Sequence, residues 1–162
     1  MSESNDYKTF KKNVPGPRDR LDRVENVVLS GMPDINFCPV DGVECWIEQK
    51  SPTEPKRPTT KLFGSNHKLT QDQKNWFKRQ LTAGGRAFVL IATDKRWMLI
   101  CGSHADYVNE MTVAELQELA IWTTTKPVKG KEKWTQLRTH LVNWRWTSAS
   151  SRPSHTGTSS NA

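Results

Sequence analysis

Apolar residues fall at helical spacing in some stretches of this chain and crowd into short runs in others. Over residues 3–14, Tyr7, Phe10 and Val14 share one face of a predicted helix that Ser4 or Asn5 can cap; the segment 15–19 (PGPRD) breaks it. Residues 23–29 alternate well enough for a strand that Gly31 stops. Two further strands are expected around Asp41-Gly42, and the helix that starts at Thr70 is marked at both ends. Thr70 and Gln73 fit a capping box, Trp76, Phe77 and Leu81 form an apolar face, and Gly84-Gly85 ends it. The run 86–93 is apolar throughout, which predicts a central strand covered on both faces, and 96–101 is its hairpin partner. Thr112 and Glu115 open a predicted helix over 113–124, and Trp134, Leu137, Leu141 and Trp144 line a last one. From Thr147 the chain is Ser/Thr-rich and reads as a disordered tail.

The expected layout is a helix and linker over 1–22, one compact unit over 23–146 and the tail 147–162. Within the unit, the motif-bearing core is 23–101 and the C-terminal helices are 103–146. Between the two halves of the core lies 51–68, a long segment carrying Pro52, Pro55 and Pro58. Such a segment is either a binding loop or a stiff spacer. Phe63 within it either packs on the core or stands out as an apolar wedge.

Composition narrows the class of partner. Lys and Arg total 24 against 17 Asp and Glu, a formal charge of +7, which favours an anionic partner. The three cysteines have neither disulfide-framework nor zinc spacing, and read as small buried hydrophobes in a reducing compartment. No apolar run is long enough to span a bilayer. A soluble, intracellular, cytoplasmic protein is expected.

Candidate chemistry lies in residues 30–52, SGMPDINFCPVDGVECWIEQKSP. Glu48 and Lys50 point the same way on a strand, and Ile47 and Gln49 the other. The position of Asp34 depends on register. A two-residue loop at Asp41-Gly42 pairs residues whose numbers sum to 83 and sets Asp34 against Gln49, on the wrong face. A three-residue loop, Val40-Asp41-Gly42, gives a sum of 82 and sets Asp34 opposite Glu48. That register, closed by Gly42 in the left-handed conformation, is the one predicted. Carboxylates so placed lie about 5 Å apart at Cβ and resist ionisation unless a cation sits between them. Oxygen ligands completed by water and phosphate suit Mg²⁺, with a backbone carbonyl of Gln49 as a further ligand. Lys50 is placed to stabilise a phosphate or position a water. Gly31 permits close backbone approach, and Pro33 fixes where Asp34 enters the sheet.

These residues resemble the PD-(D/E)XK nuclease superfamily through Pro33-Asp34 and Glu48-Gln49-Lys50. The surrounding SGMPDI, WIEQKSP and LTQDQKNWFKRQLTAGGRAFVLI look like its VRR-NUC branch and related phage and archaeal junction-resolving nucleases, over residues 23–94. The resemblance implies an α/β fold with a mixed central sheet flanked by helices, Mg²⁺ with Mn²⁺ as a substitute, and DNA as substrate. It implies Asp34 and Glu48 as metal ligands, Lys50 as catalytic lysine and Gln73 as an ancillary active-site residue, a role compatible with capping. Many members add an acidic residue from an N-terminal helix or nearby. Glu3, Asp6 and Glu25 are candidates; Glu25 is favoured, although it can equally pair with Arg23. Phosphate contacts are expected from Lys56, Arg57, Lys61, Lys68, Lys74 and Arg86. The expected activity is a metal-dependent DNA endonuclease, of a size suited to branched DNA and to action as a homodimer, and of viral origin by the phage likeness. The alternative is a non-catalytic nucleic-acid binder that uses some of the seven tryptophans.

Overall fold

A computed structural model describes residues 2–24 and 30–144. The chain opens with helix α1 (Glu3–Asn13), then strands β1 (Arg20–Arg23), β2 (Ile35–Cys38) and β3 (Cys45–Lys50). Helix α2 (Gln71–Thr82) leads to β4 (Ala87–Ala92) and β5 (Arg96–Cys101). Two 3₁₀ turns (Gly102–His104 and Val108–Glu110), α3 (Val113–Leu119), β6 (Trp122–Thr125) and α4 (Lys131–Asn143) follow. The strands form one mixed sheet in sequence order, antiparallel except for the parallel pair β3–β4. The architecture is therefore α/β, a mixed central sheet flanked by helices.

Both sheet faces are covered. Phe10 and Val14 of the α1 segment and Trp134, Leu137 and Leu141 of α4 bury Ile35, Ile47, Phe88, Leu90 and Leu99 on one side. Phe77 of α2, Leu116 of α3 and Leu62, Phe63 and Leu69 of the long segment bury Val89, Ile91, Met98 and Ile100 on the other. Every residue of β4 is consequently buried, as its unbroken apolar run predicts. Phe63 is 3 % exposed, so it packs on the core and no wedge projects from this segment. Glu54 anchors the start of the segment, accepting from Arg96 Nε at 2.5 Å and from Thr93 Oγ1 at 2.8 Å.

A strand precedes the motif at Arg20–Arg23; the strand expected over 23–29 falls mostly on residues 25–29, which with Glu25 lie outside the described residues, as does the tail from 145. Two expectations are corrected. The helix opened by Thr112 stops at Leu119, and Trp122–Thr125 becomes strand β6, paired with β5. An aromatic followed by three β-branched threonines fits a pleated surface better than a helix. The β2–β3 connection keeps the predicted register, with Ile35↔Ile47, Asn36↔Trp46 and Phe37↔Cys45, but residues 39–44 form a wider loop. Gly42 does not take a positive φ. Helix α4 sets the loop: Arg138 donates to Asp41 Oδ1 at 2.7 Å and to Asp19 Oδ2 at 2.8 Å. A side chain at Gly42 would meet Val142 Cγ1 at 2.8 Å, so the glycine serves close approach.

Candidate active site

The site forms where the start of β2 meets the end of β3 beneath the first turn of α2. Continuing the observed pairing by one residue puts Asp34 opposite Glu48 on the α2 face. The loop before Asp34 is held against α2. Gly31 has φ +84°, and a Cβ there would lie 2.3 Å from the carbonyl carbon of Asp72 and 2.7 Å from the amide nitrogen of Gln73. Ser30 donates its hydroxyl to the Asp72 carboxylate. The Asp34 carbonyl accepts from the Val24 amide at 2.7 Å, and its carboxylate accepts from the backbone N–H of Gln49.

Glu48 is 1 % exposed. Its Oε1 receives Lys50 Nζ at 2.8 Å and Gln73 Nε2 at 2.5 Å. Its Oε2 is buried with no partner. Gln73 also completes the cap of α2: its Oε1 accepts from the Thr70 amide at 2.9 Å, and Thr70 Oγ1 accepts from the Gln73 amide at 3.2 Å. One side chain thus joins the helix start to the buried carboxylate.

Both acids are hard to ionise. Burial pushes Glu48 up to about 7, with the Asp34 charge adding to the shift and Lys50 opposing it. Burial also raises Asp34, as does the Glu3 carboxylate, against the lowering pull of Lys50 and Arg23. A cation between the two carboxylates would reverse this cost and use the unpartnered Oε2, so the donor set fits a hard divalent ion. Among the described residues no group of three or more His, Cys, Asp or Glu side chains forms a ready-made cage. Backbone oxygen, water or phosphate would have to complete such a site.

Of the three candidate extra acids, the structure brings Glu3 toward Asp34. Glu3 lies in the first turn of α1, with its Oε1 3.8 Å from Arg23 Nη2, and its charge acts on Asp34. The tie is the side chain of Gln49, which projects to the α1 face and donates to the Glu3 carbonyl at 2.9 Å. Asp6 faces away from the site, buried against Lys126 at 2.7 Å. The acidic first turn ahead of the Tyr7, Phe10 and Val14 face was the sequence signal for Glu3; nothing in the sequence marked the Gln49 side chain.

Lys56 and Arg57 are exposed on the long segment. Lys61 and Lys68 flank Glu110, and Lys74 Nζ donates to the Asp106 carbonyl at 3.1 Å. Arg86 does not fit the expected phosphate contact. It is 9 % exposed, and its guanidinium donates to the carbonyls of Val43, at 2.7 Å, and Leu141, tying the β2–β3 loop to α4.

No family model matches the chain, and no curated protein does. A solved structure similar to it is that of Hjc, a Holliday junction resolvase from the archaeal hyperthermophile Archaeoglobus fulgidus. The TM-score is 0.47 at 18 % identity, over 74 % of this chain and 91 % of that one. The likeness is one of chain arrangement. No helix of the described residues is long and apolar enough to cross a membrane.

Proposed function

We propose that this protein is a metal-dependent endodeoxyribonuclease of the PD-(D/E)XK type, acting on DNA with Mg²⁺ or Mn²⁺. The observation that carries the reading is the half-buried Asp34 set face to face with the buried Glu48, with Lys50 and Gln73 on one oxygen of Glu48 and nothing on the other. A protein that only bound nucleic acid would gain nothing from two adjacent carboxylates whose charges burial disfavours. Branched DNA is the proposed substrate class, and a homodimer would supply the two sites that symmetric cutting needs.

Asp34 and Glu48 would hold the ion, with the backbone carbonyl of Gln49 and, at the edge, Glu3 as further oxygen donors. The bound ion would supply Lewis-acid polarisation of the phosphate and a water of lowered pKa. The chain's own residues do the rest. Gln73 fixes the orientation of Glu48 so that Oε2 faces the site. Asp34 is fixed by the Gln49 amide. Lys50 Nζ, held at Glu48 in the resting protein, is the cation that meets the scissile phosphate, bears part of its developing charge and orients the attacking water. Lys56 and Arg57 contact flanking phosphates from the long segment.

Incubation with plasmid, linear duplex and a four-way junction, in Mg²⁺ or in chelator, tests the proposal. Cleavage is expected only with metal and is expected to vanish in Asp34→Ala. Lys50→Ala is expected to bind DNA normally while turnover falls at least a hundredfold, the scale of a lost transition-state contact. Intact DNA under every condition, or unchanged turnover in Lys50→Ala, would remove the reading.

A further inference from the structure

We propose that Lys61, Lys68 and Lys74 form one preassembled docking site for a backbone phosphate of DNA, and that Glu110 occupies it in the free protein as an internal stand-in for that phosphate. The inference rests on the nuclease reading and adds where DNA is gripped away from the reacting centre.

Two elements, the long segment 51–68 and helix α2, bring the lysines toward one carboxylate. Glu110 Oε2 is paired with Lys61, and Oε1 lies 3.8 Å from Lys68 Nζ. Glu110 is held below the usual carboxylate range by Lys61 first, with Lys68 and Lys74 acting in the same direction. The backbone under these side chains is fixed. Lys61 bridges Thr112, and the Leu62 amide donates to the Met111 carbonyl at 2.9 Å. Beside Lys68, the buried Asn109 clamps both backbone groups of Leu69, accepting from its amide at 2.8 Å and donating to its carbonyl at 2.9 Å. Lys74 stands on α2, directly after the Gln73 that holds Glu48, with its Nζ leaning on the Asp106 carbonyl.

Three cations around a single exposed carboxylate leave a local surplus of positive charge. The side chains of Lys61, Lys68 and Glu110 are all about half exposed, and ion pairs so hydrated open readily. A backbone phosphate, like a carboxylate, offers two charged acceptor oxygens on one centre and, unlike Glu110, releases counterions from the DNA as it docks. Glu110 therefore sets a threshold: it weakens attachment of short or poorly matched nucleic acid and keeps the lysines arranged.

Binding of a labelled duplex, followed by fluorescence anisotropy in chelator across a salt series, tests this without cleavage. Glu110→Gln is expected to tighten binding roughly two- to fivefold at low salt. Glu118→Gln, an equal charge change at an exposed position of α3, is the control and is expected to tighten it less. Lys68→Gln is expected to flatten the plot of log affinity against log salt by about 0.9. If Glu110→Gln behaves as Glu118→Gln, or Lys68→Gln keeps the parental slope, the docking site is refuted. In that event Asp34-dependent cleavage by the parent protein would leave the nuclease reading standing. A parent protein that binds no DNA would overturn both.

Discussion

The carboxylate of Glu48 should make the metal-free protein less stable as pH rises. Its folded-state pKa is raised from 4.5 to about 7, chiefly by burial. The folded protein therefore holds this proton more tightly than the unfolded chain does. Stability is full below the unfolded value, falls between pH 4.5 and 7, and is flat above. The loss above pH 7 amounts to about 3 kcal/mol, with little screening because the side chain is 1 % exposed. Glu48→Gln removes that charge, keeps the shape and can still accept from Lys50 and Gln73. The variant should match the parent near pH 4.5 and exceed it by up to about 3 kcal/mol at pH 8, less the cost of leaving Lys50 without its counter-charge. Urea unfolding across this pH range in chelator measures the difference, and other titrating groups cancel between the two proteins. Mg²⁺ should then stabilise the parent and not the variant, and the variant should not cleave DNA. A stability difference independent of pH between 5 and 8, or a variant weaker than the parent at pH 8, would refute the argument that burial dominates this site.

The remaining expectations concern how the site is held. Gly31→Ala meets both a left-handed backbone and the Asp72–Gln73 peptide, so it should cost roughly 2–4 kcal/mol. Gly84→Ala has a similar φ of +82° but open space around it, and should cost only about 1 kcal/mol; equal losses in urea unfolding would show that the contact with α2 is unimportant. Gln49→Leu breaks the bond to the Glu3 carbonyl and spares the amide that serves Asp34. It should weaken Mn²⁺ binding by roughly tenfold and raise amide exchange in α1, while DNA binding in chelator is unchanged. Unaltered Mn²⁺ affinity would mean that α1 contributes nothing to the ion.

What could be read from the sequence was whatever local chemistry dictates. Alternation in β3 put Glu48 and Lys50 on one face, and the register whose numbers sum to 82 set Asp34 against Glu48, although the three-residue turn assumed for that register opened to a wider loop. The Thr70–Gln73 box was equally legible, since its two hydrogen bonds involve residues three apart. The misreadings have long-range causes. The β2–β3 loop opened because Arg138, from the far end of the chain, claims Asp41. Arg86 looked like a surface cation until two carbonyls, from a loop and a helix distant in sequence, were found to bury it. Glu25 was favoured by its place before the motif and lies outside the described residues, whereas the position of Glu3 beside Asp34 depends on the docking of α1 through Phe10, Val14 and Gln49. Strand β6 was hidden because Trp122 also fits the apolar spacing of the helix before it.

Gln73 makes the start of α2 and the orientation of Glu48 a single structural event. Its carbonyl oxygen closes the cap on Thr70 while its amide nitrogen holds Glu48 Oε1. Gly31 lies on the Asp72–Gln73 peptide, so the loop that delivers Asp34 rests on the same turn of helix. The two acids thus come from different strands but are referred to one helical turn. Neither carboxylate has to find the other through the flexibility of its own side chain. This explains how the fold tolerates a buried acid and a half-buried one side by side. Their separation is set by backbone contacts, and the repulsion between them is spread over a capped helix, a parallel strand pair and the Lys50 ammonium. With Oε1 occupied twice, Glu48 can offer an incoming ion only Oε2, which restricts it to binding through one oxygen and leaves room on the ion for water and phosphate.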